Sequence, residues 1–158
     1  MVTLNDFNIG AYLSARIACE HTAAVAAGSG DAAYIVGDVI DLRTLPGRPV
    51  SALLVAPFEA VLTADKTLTI KSKVEHDDVI GMGTATVYTY DGAESTGEVV
   101  ATGAGTIKGV YTRAVDLSGI KRFFRFCVYQ DLSHTSADTN QLMAVVVFAP
   151  AGIVEQTE

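Results

Sequence analysis

The sequence predicts an all-β protein: a two-sheet antiparallel β-sandwich, jelly-roll-like, with an N-terminal arm or short helix. Three observations predict it. Segments with strict two-residue alternation, or short apolar runs, recur from residue 36 onward. Turn signals such as Leu45-Pro46-Gly47 and Asp91-Gly92 separate them. The one stretch with helical spacing, Ile9, Leu13 and Ile17 within Asn5–Ala27, is weakened by Gly10, Thr22 and Val25.

Eight strands follow in order. Val36–Leu42 reads as a strand with Val36, Asp38, Ile40 and Leu42 on one face. Val50–Val55 is a short apolar run between LPGRP and Ala56-Pro57, which favours a buried strand over a helix. Thr67–His76 alternates cleanly, with Leu68, Ile70, Ser72 and Val74 opposed to Thr69, Lys71, Lys73 and Glu75. It reads as a strand with one wet face. Thr84–Tyr90 is rich in β-branched and aromatic residues. Glu98–Thr102 and Thr106–Leu117 follow, split by Gly103-Ala104-Gly105. Phe123–Leu132 and Leu142–Phe148 complete the set. Eight strands in two sheets is the jelly-roll number, although the sequence does not fix the winding. The short GSGD stretch at Gly28–Asp31 divides an arm, residues 1–30, from a sandwich domain, residues 31–158.

The chain has 158 residues, enough to bury a core without staples. It is 49% hydrophobic and only 18% charged, below the ~25% usual for globular domains, so part of its surface suits cover by a partner. The formal net charge of −7 disfavours a nucleic-acid binder, whose affinity comes largely from neutralising phosphates. No apolar run is long enough to span a membrane, and the first residues lack the pattern of a secretory signal. The expectation is synthesis in the cytoplasm.

Signatures of chemistry are absent. Cys19 and Cys127 lie far apart with no C-x-x-C, and read as buried thiols. Cys19 and His21 would share a strand face, but no third or fourth ligand is near, so no metal is expected. His76-Asp77-Asp78 reads as a polar turn at a strand end. No serine sits in a G-x-S-x-G elbow, and neither Gly81-Met82-Gly83 nor Gly103-Ala104-Gly105 has the context of a phosphate loop. The chain is expected to be no enzyme, with no catalytic, metal or cofactor-binding residues and no cofactor.

The run Lys121–Phe126 (KRFFRF) interleaves cations with aromatics, as a base-stacking ribbon would. Such a ribbon needs small residues between its rings, and here Phe124 and Arg125 fill those places. As a strand it puts Phe124, Phe126 and Val128 on one face and Phe123, Arg125, Cys127 and Tyr129 on the other. That suits an inner strand, with Arg122 and Arg125 left at the rim to meet acids such as Asp116, or a partner.

The order of motifs carries a resemblance. VIDL (Val39–Leu42) is followed by the apolar strand VSALLVAPFEAVL, then by TLTIKSKVEHDD with its acidic turn. RFFRF (Arg122–Phe126) then precedes the last strand, LMAVVVFAP. Over about residues 36–149 this pattern resembles the small cement (decoration) proteins of tailed bacteriophage capsids, the group that includes the cement protein of a Bordetella phage. Residues 1–30 lie outside the pattern, and the region from Gly81 to Gly105 is longer and richer in strand than the group's. The resemblance implies a jelly-roll-like sandwich on the outer capsid surface of the virion, clamping neighbouring major capsid proteins. It also implies a homo-oligomer, dimer or trimer, with no nucleic acid and no membrane as partner. Lapping elements would be Met1–Gly30, the 77–83 turn and the Ser133–Asn140 loop. Candidate partner-interface residues are Phe7, Ile9, Tyr12 and Leu13 as apolar anchors, and the arginines Arg122 and Arg125. An alternative reading is a β-sandwich binding module of a phage tail or host-attachment apparatus, which exposed aromatics and polar loops at one end would favour.

Overall fold

A computed structural model describes residues 13–45, 47–90, 97–101, 103–133 and 137–150. Ten strands run in order: β1 (Ser14–Val25), β2 (Ala33–Val36), β3 (Ile40–Asp41), β4 (Pro49–Leu62), β5 (Thr67–Asp77), β6 (Thr86–Tyr90), β7 (Gly97–Val100), β8 (Gly105–Asp116), β9 (Phe123–Leu132) and β10 (Thr139–Pro150). One sheet has the order β1-β10-β4-β8. The other has β2-β9-β5-β6, with β3 also on β9 and β7 also on β5. Among the described residues all strand pairings are antiparallel. The protein is therefore an all-β two-sheet sandwich.

The sheet orders also give the winding. Because β2 and β3 share one edge of β9, and β6 and β7 one edge of β5, each pair counts as one broken strand. The resulting eight strands have the orders 1-8-3-6 and 2-7-4-5. First pairs with last, second with seventh, third with sixth and fourth with fifth. That is a long hairpin wrapped on itself, the jelly-roll path.

Two segments differ from the sequence reading. Within the stretch expected to be an arm or short helix, Ser14–Val25 is extended and paired along β10 over most of its length. Register shifts between Ile17 and Cys19 and between Cys19 and Thr22 bend this edge strand. With exposed Arg16, Glu20 and His21, the bends blunt an edge that would otherwise template aggregation. They also separate Cys19, which is buried, from His21, which is exposed.

Val36–Leu42 is likewise not one strand. Val36 pairs with Cys127 and Ile40 with Phe124, so three residues on this edge face two on β9. The extra residue reverses the side-chain alternation. Val36 is exposed and Ile40 is buried, where an unbroken strand would put both on one face. Gly37 sits in this bulge and donates to the Phe126 carbonyl at 3.0 Å. A Cβ at Gly37 would lie 1.8 Å from the Ala18 carbonyl oxygen, so only glycine lets β1 pass so close.

Between the sheets, Leu54, Ala56, Phe58 and Leu62 of β4 meet Leu68, Ile70 and Val74 of β5 and Phe124, Phe126 and Val128 of β9. Phe124 stands edge-on to Phe126 at 6.1 Å and to Phe148 of β10 at 6.0 Å, joining the two sheets. Burying each such ring contributes about 2–3 kcal/mol. Polar links cross the interior as well. Ser72 and Tyr111 hydroxyls share a hydrogen bond of 3.0 Å, and Arg113 Nη1 donates to the Ser72 carbonyl at 2.8 Å. Asn140 Nδ2 donates to Gln130 Oε1 at 2.7 Å. The two cysteines are buried and free, and burial pushes both thiols up, Cys19 to about 12 and Cys127 to about 11.

Candidate functional site

Strand β4 is apolar at both parities. Its even positions from Ala52 to Leu62 fill the core, while Leu53, Val55 and Pro57 point out of the sandwich. The sequence reading took this run for a buried strand. One face is buried, but Leu53 stays 43% exposed. The neighbours repeat the pattern, and the register aligns them. Ala15, Val147, Leu53 and Ala114 form one row across the sheet; Ile17, Val145, Val55 and Thr112 form the next. Beyond these, Pro57 pairs with Val110. The β10–β4 ladder skips from Val145 to Leu142 there, because Pro57 has no N–H to donate. Ile17 is 55% and Val110 59% exposed, and Met143 lies beside them at 39%.

No charged residue stands in these rows. Charge begins at the margins, with the Glu59–Lys108 pair (2.9 Å) on one side and Asp116 on the other. Four strands at about 4.8 Å and three rows at about 6.8 Å make a face of roughly 400 Å². The largest apolar patch on a monomer has about this size and is often functional.

The outer face of the six-stranded sheet is built differently. Glu75 accepts from Arg125 Nε and Nη2, each at 2.8 Å, and from Lys73 Nζ at 2.6 Å. Burial pushes the Glu75 carboxyl up, but the Lys73 and Arg125 hydrogen bonds outweigh it, and the net direction is down. Lys73 also lies 4.5 Å over the Tyr34 ring, which tilts against Tyr129 at 5.2 Å. These groups satisfy one another within the fold.

A third surface lies at the end of the sandwich where β9 begins. Asp41 organises it. Its carboxylate accepts from Arg122 Nε at 3.1 Å and Nη2 at 2.7 Å, and from the Arg43 backbone N–H at 3.0 Å. That last bond caps the 3-10 turn Leu42–Thr44. The Arg122 side chain and the Arg43 N–H together hold the Asp41 carboxyl down at about 2. Arg122 also lies over Phe123, 4.5 Å from the ring centre. Beside it opens a pocket of about 530 Å³ lined by Leu42, Arg43, Leu45, Gly47, Arg48, Ile120 and Arg122.

At the same end, Asp77 accepts from the backbone N–H of Asp78, Val79 and Thr84 at 2.7, 3.3 and 3.0 Å. The polar turn expected at His76-Asp77-Asp78 is thus built around Asp77, and it presents Val79 and Ile80 at 60% and 66% exposure.

Of the expected interface residues, Phe7, Ile9 and Tyr12 lie outside the described residues. Leu13 is 40% exposed just before β1. Arg122 lines the end pocket. Arg125 sits away from it on the outer sheet face. The acids these arginines meet are Asp41 and Glu75 rather than Asp116, which instead accepts from the Ser118 N–H at 2.8 Å. The sequence reading missed Arg43, Arg48 and the uncharged sheet face. The signal for the face was present, since PVSALLVAPF and LMAVVVFA are apolar at both parities. Phe123, Phe124 and Phe126 are each at most 6% exposed, so none of these rings is open to a stacking base.

No family model and no curated protein matches the sequence. Solved structures with a similar fold include the VP2 subviral particle of infectious bursal disease virus, at 7% identity and a TM-score of 0.47, matching over 90% of this chain and 34% of that one. Another is the CBM22-1 xylan-binding domain of Xyn10C from Paenibacillus barcinonensis, at 12% identity and a TM-score of 0.41 over 89% and 87% of the two chains. The chain spans about a third of the length of the virus protein it matches. Likeness at this level carries no functional information. What the chain's own structure defines is the class, a jelly-roll β-sandwich with one uncharged sheet face.

Proposed function

We propose that this chain is a non-enzymatic structural virion protein, a cement or decoration protein that binds the outer surface of a phage capsid and clamps neighbouring major capsid proteins. The observation that carries the reading is the uncharged outer face of the four-stranded sheet. An uncharged, largely apolar sheet face buries well against another protein and offers no cleft for a small substrate. About 400 Å² is half of what one partner buries in a standard interface, so contact at the face alone is weak. Many copies on a lattice, or added contacts from the end loops, turn weak contacts into firm ones. The exposed Val79 and Ile80, on a turn fixed by Asp77, suit that second contact.

The reading as a tail or host-attachment module draws less support. Its natural platform would be open aromatics, and the tilted pair Tyr34 and Tyr129 lies under Lys73 and Lys71.

The test is co-expression with the major capsid protein of the same virus. The expected result is co-sedimentation with assembled shells at many copies per particle, and shells that disrupt at a higher temperature when it is bound. Shells that neither retain nor recruit the protein would rule the proposal out.

A further inference from the structure

We infer that the arginine-lined pocket at the start of β9 is a docking site for an acidic peptide segment of a neighbouring protein, with carboxylates on Arg43 and Arg48 and an apolar side chain on the floor. The inference goes beyond the capsid reading and does not depend on it, since it rests on the pocket alone.

Charge is the first support. Arg43, Arg48 and Arg122 line the pocket and, among the described residues, Asp41 is the one carboxylate bonded to them, so two positive charges remain there on a chain of net charge −7. Arg122 is engaged by Asp41, Arg125 by Glu75, Arg113 by Ser72 and Thr89, and Arg16 by Ser14 and Ala15. Among the described residues, the side chains of Arg43 and Arg48 alone among the arginines have no such partner. Both are exposed and both line this one pocket.

Preorganisation is the second. A single carboxylate, Asp41, fixes the turn that carries Arg43 and also clamps Arg122 through two nitrogens. Arg122 also rests over the Phe123 ring. Asp41 stays charged well into acid, so this frame persists across ordinary pH. A frame already ordered loses little entropy on binding.

The floor decides the class of anion. Leu42, Leu45 and Ile120 are apolar, and Leu45 and Ile120 are at most 6% exposed. A hydrated inorganic anion gains nothing from such a floor, whereas a Glu- or Asp-bearing segment with a Val, Ile or Leu beside the acid uses both parts. A nucleic acid would need an open ring for its bases, and Phe123 is covered by Arg122.

The experiment measures fluorescence anisotropy of a labelled, end-blocked peptide of alternating Glu and Val with the full chain. A Lys/Val peptide of equal length is the charge-reversed probe. The Glu/Val peptide is expected to bind, to weaken as sodium chloride rises, and to bind at least about ten-fold more weakly to Arg43→Glu/Arg48→Glu at an unchanged Tm. Lys66→Glu, at the β4–β5 turn on the opposite end, is expected to bind like the parent. Should the double variant unfold, Arg48→Gln alone gives the same comparison. Equal binding of the Lys/Val peptide, or full affinity in the folded pocket variants, overturns the inference. So does displacement by inorganic phosphate at an ionic strength where sodium chloride has no effect, which would make the pocket a plain oxyanion site. Binding seen only after deletion of residues 151–158 also overturns it, since the chain's own terminus would then be the occupant.

Discussion

On the outer face of the six-stranded sheet, Lys73, Glu75 and Arg125 neutralise one another and Lys73 covers Tyr34. On the outer face of the four-stranded sheet, the same kind of central strands carry Leu53, Val55, Val145 and Val147. Both faces rest on one core. The first is finished by the chain itself, because each cation there has an acid or a ring within the fold. The second is left open by the described residues, none of which covers it. Partner contact is therefore read from what is left apolar and open, not from where charges are conspicuous. Arg125, conspicuous in sequence, serves the closed face.

The comparison can be broken at four points, from the largest effect to the smallest. Phe124→Ala removes the ring that joins both sheets and should cost about 3–5 kcal/mol in urea unfolding, degrading both faces together. Leu53→Glu with Val110→Glu should leave the fold within about 1 kcal/mol of the parent, since both residues are partly exposed. The same pair should cut shell binding by roughly 100-fold, about 2.7 kcal/mol. A pair that unfolds the protein, or leaves shell binding intact, would erase the distinction drawn between the faces.

Arg125→Ala should do the reverse, costing about 1 kcal/mol of stability at pH 7 with shell binding unchanged. The sign with pH follows from Glu75, whose carboxyl is held below its ordinary 4.5. A depressed carboxyl contributes stability that is fully present above 4.5 and lost as pH falls through its lower folded value. The gap between parent and Arg125→Ala in urea melts should therefore be widest near neutrality and shrink in acid. Lys108→Gln breaks only the exposed marginal pair with Glu59 and should change stability by no more than about 0.5 kcal/mol, the size of a solvent-screened contact.

Much of this fold was legible from local pattern. Thr67–His76 alternated on paper as it does in space, with Leu68, Ile70, Ser72 and Val74 fully buried. Phe124, Phe126 and Val128 took the core face of an inner strand, as their parity predicts. The failures were non-local. Ser14–Val25 is a strand because β10 lies beside it, and nothing within those twelve residues announces a partner more than a hundred positions away. The bulge at Gly37 is set by the Ala18 carbonyl from another sheet, so an unbroken strand was the natural local reading. Arg43 and Arg48 looked like loop cations until the fold put them around one pocket with Arg122. The open sheet face was missed for a different reason. A strand apolar at both parities usually means cover on both sides, and sequence cannot say whether that cover belongs to the same molecule.

The pairing of β1 with β10 has a consequence in time. In the four-stranded sheet, β10 lies between β1 and β4, yet it leaves the ribosome after all nine other strands. At about 5–20 residues per second, β1 waits on the order of ten seconds or more for its neighbour. Until then its apolar residues, and those of β4, have no sheet to join, and long-range pairing of this kind folds slowly. A chain cut short before β10 cannot form the uncharged face at all. Only a chain that has gained β10 can offer that surface, so any partner that selected it would reject copies cut short before β10 without a separate inspection step.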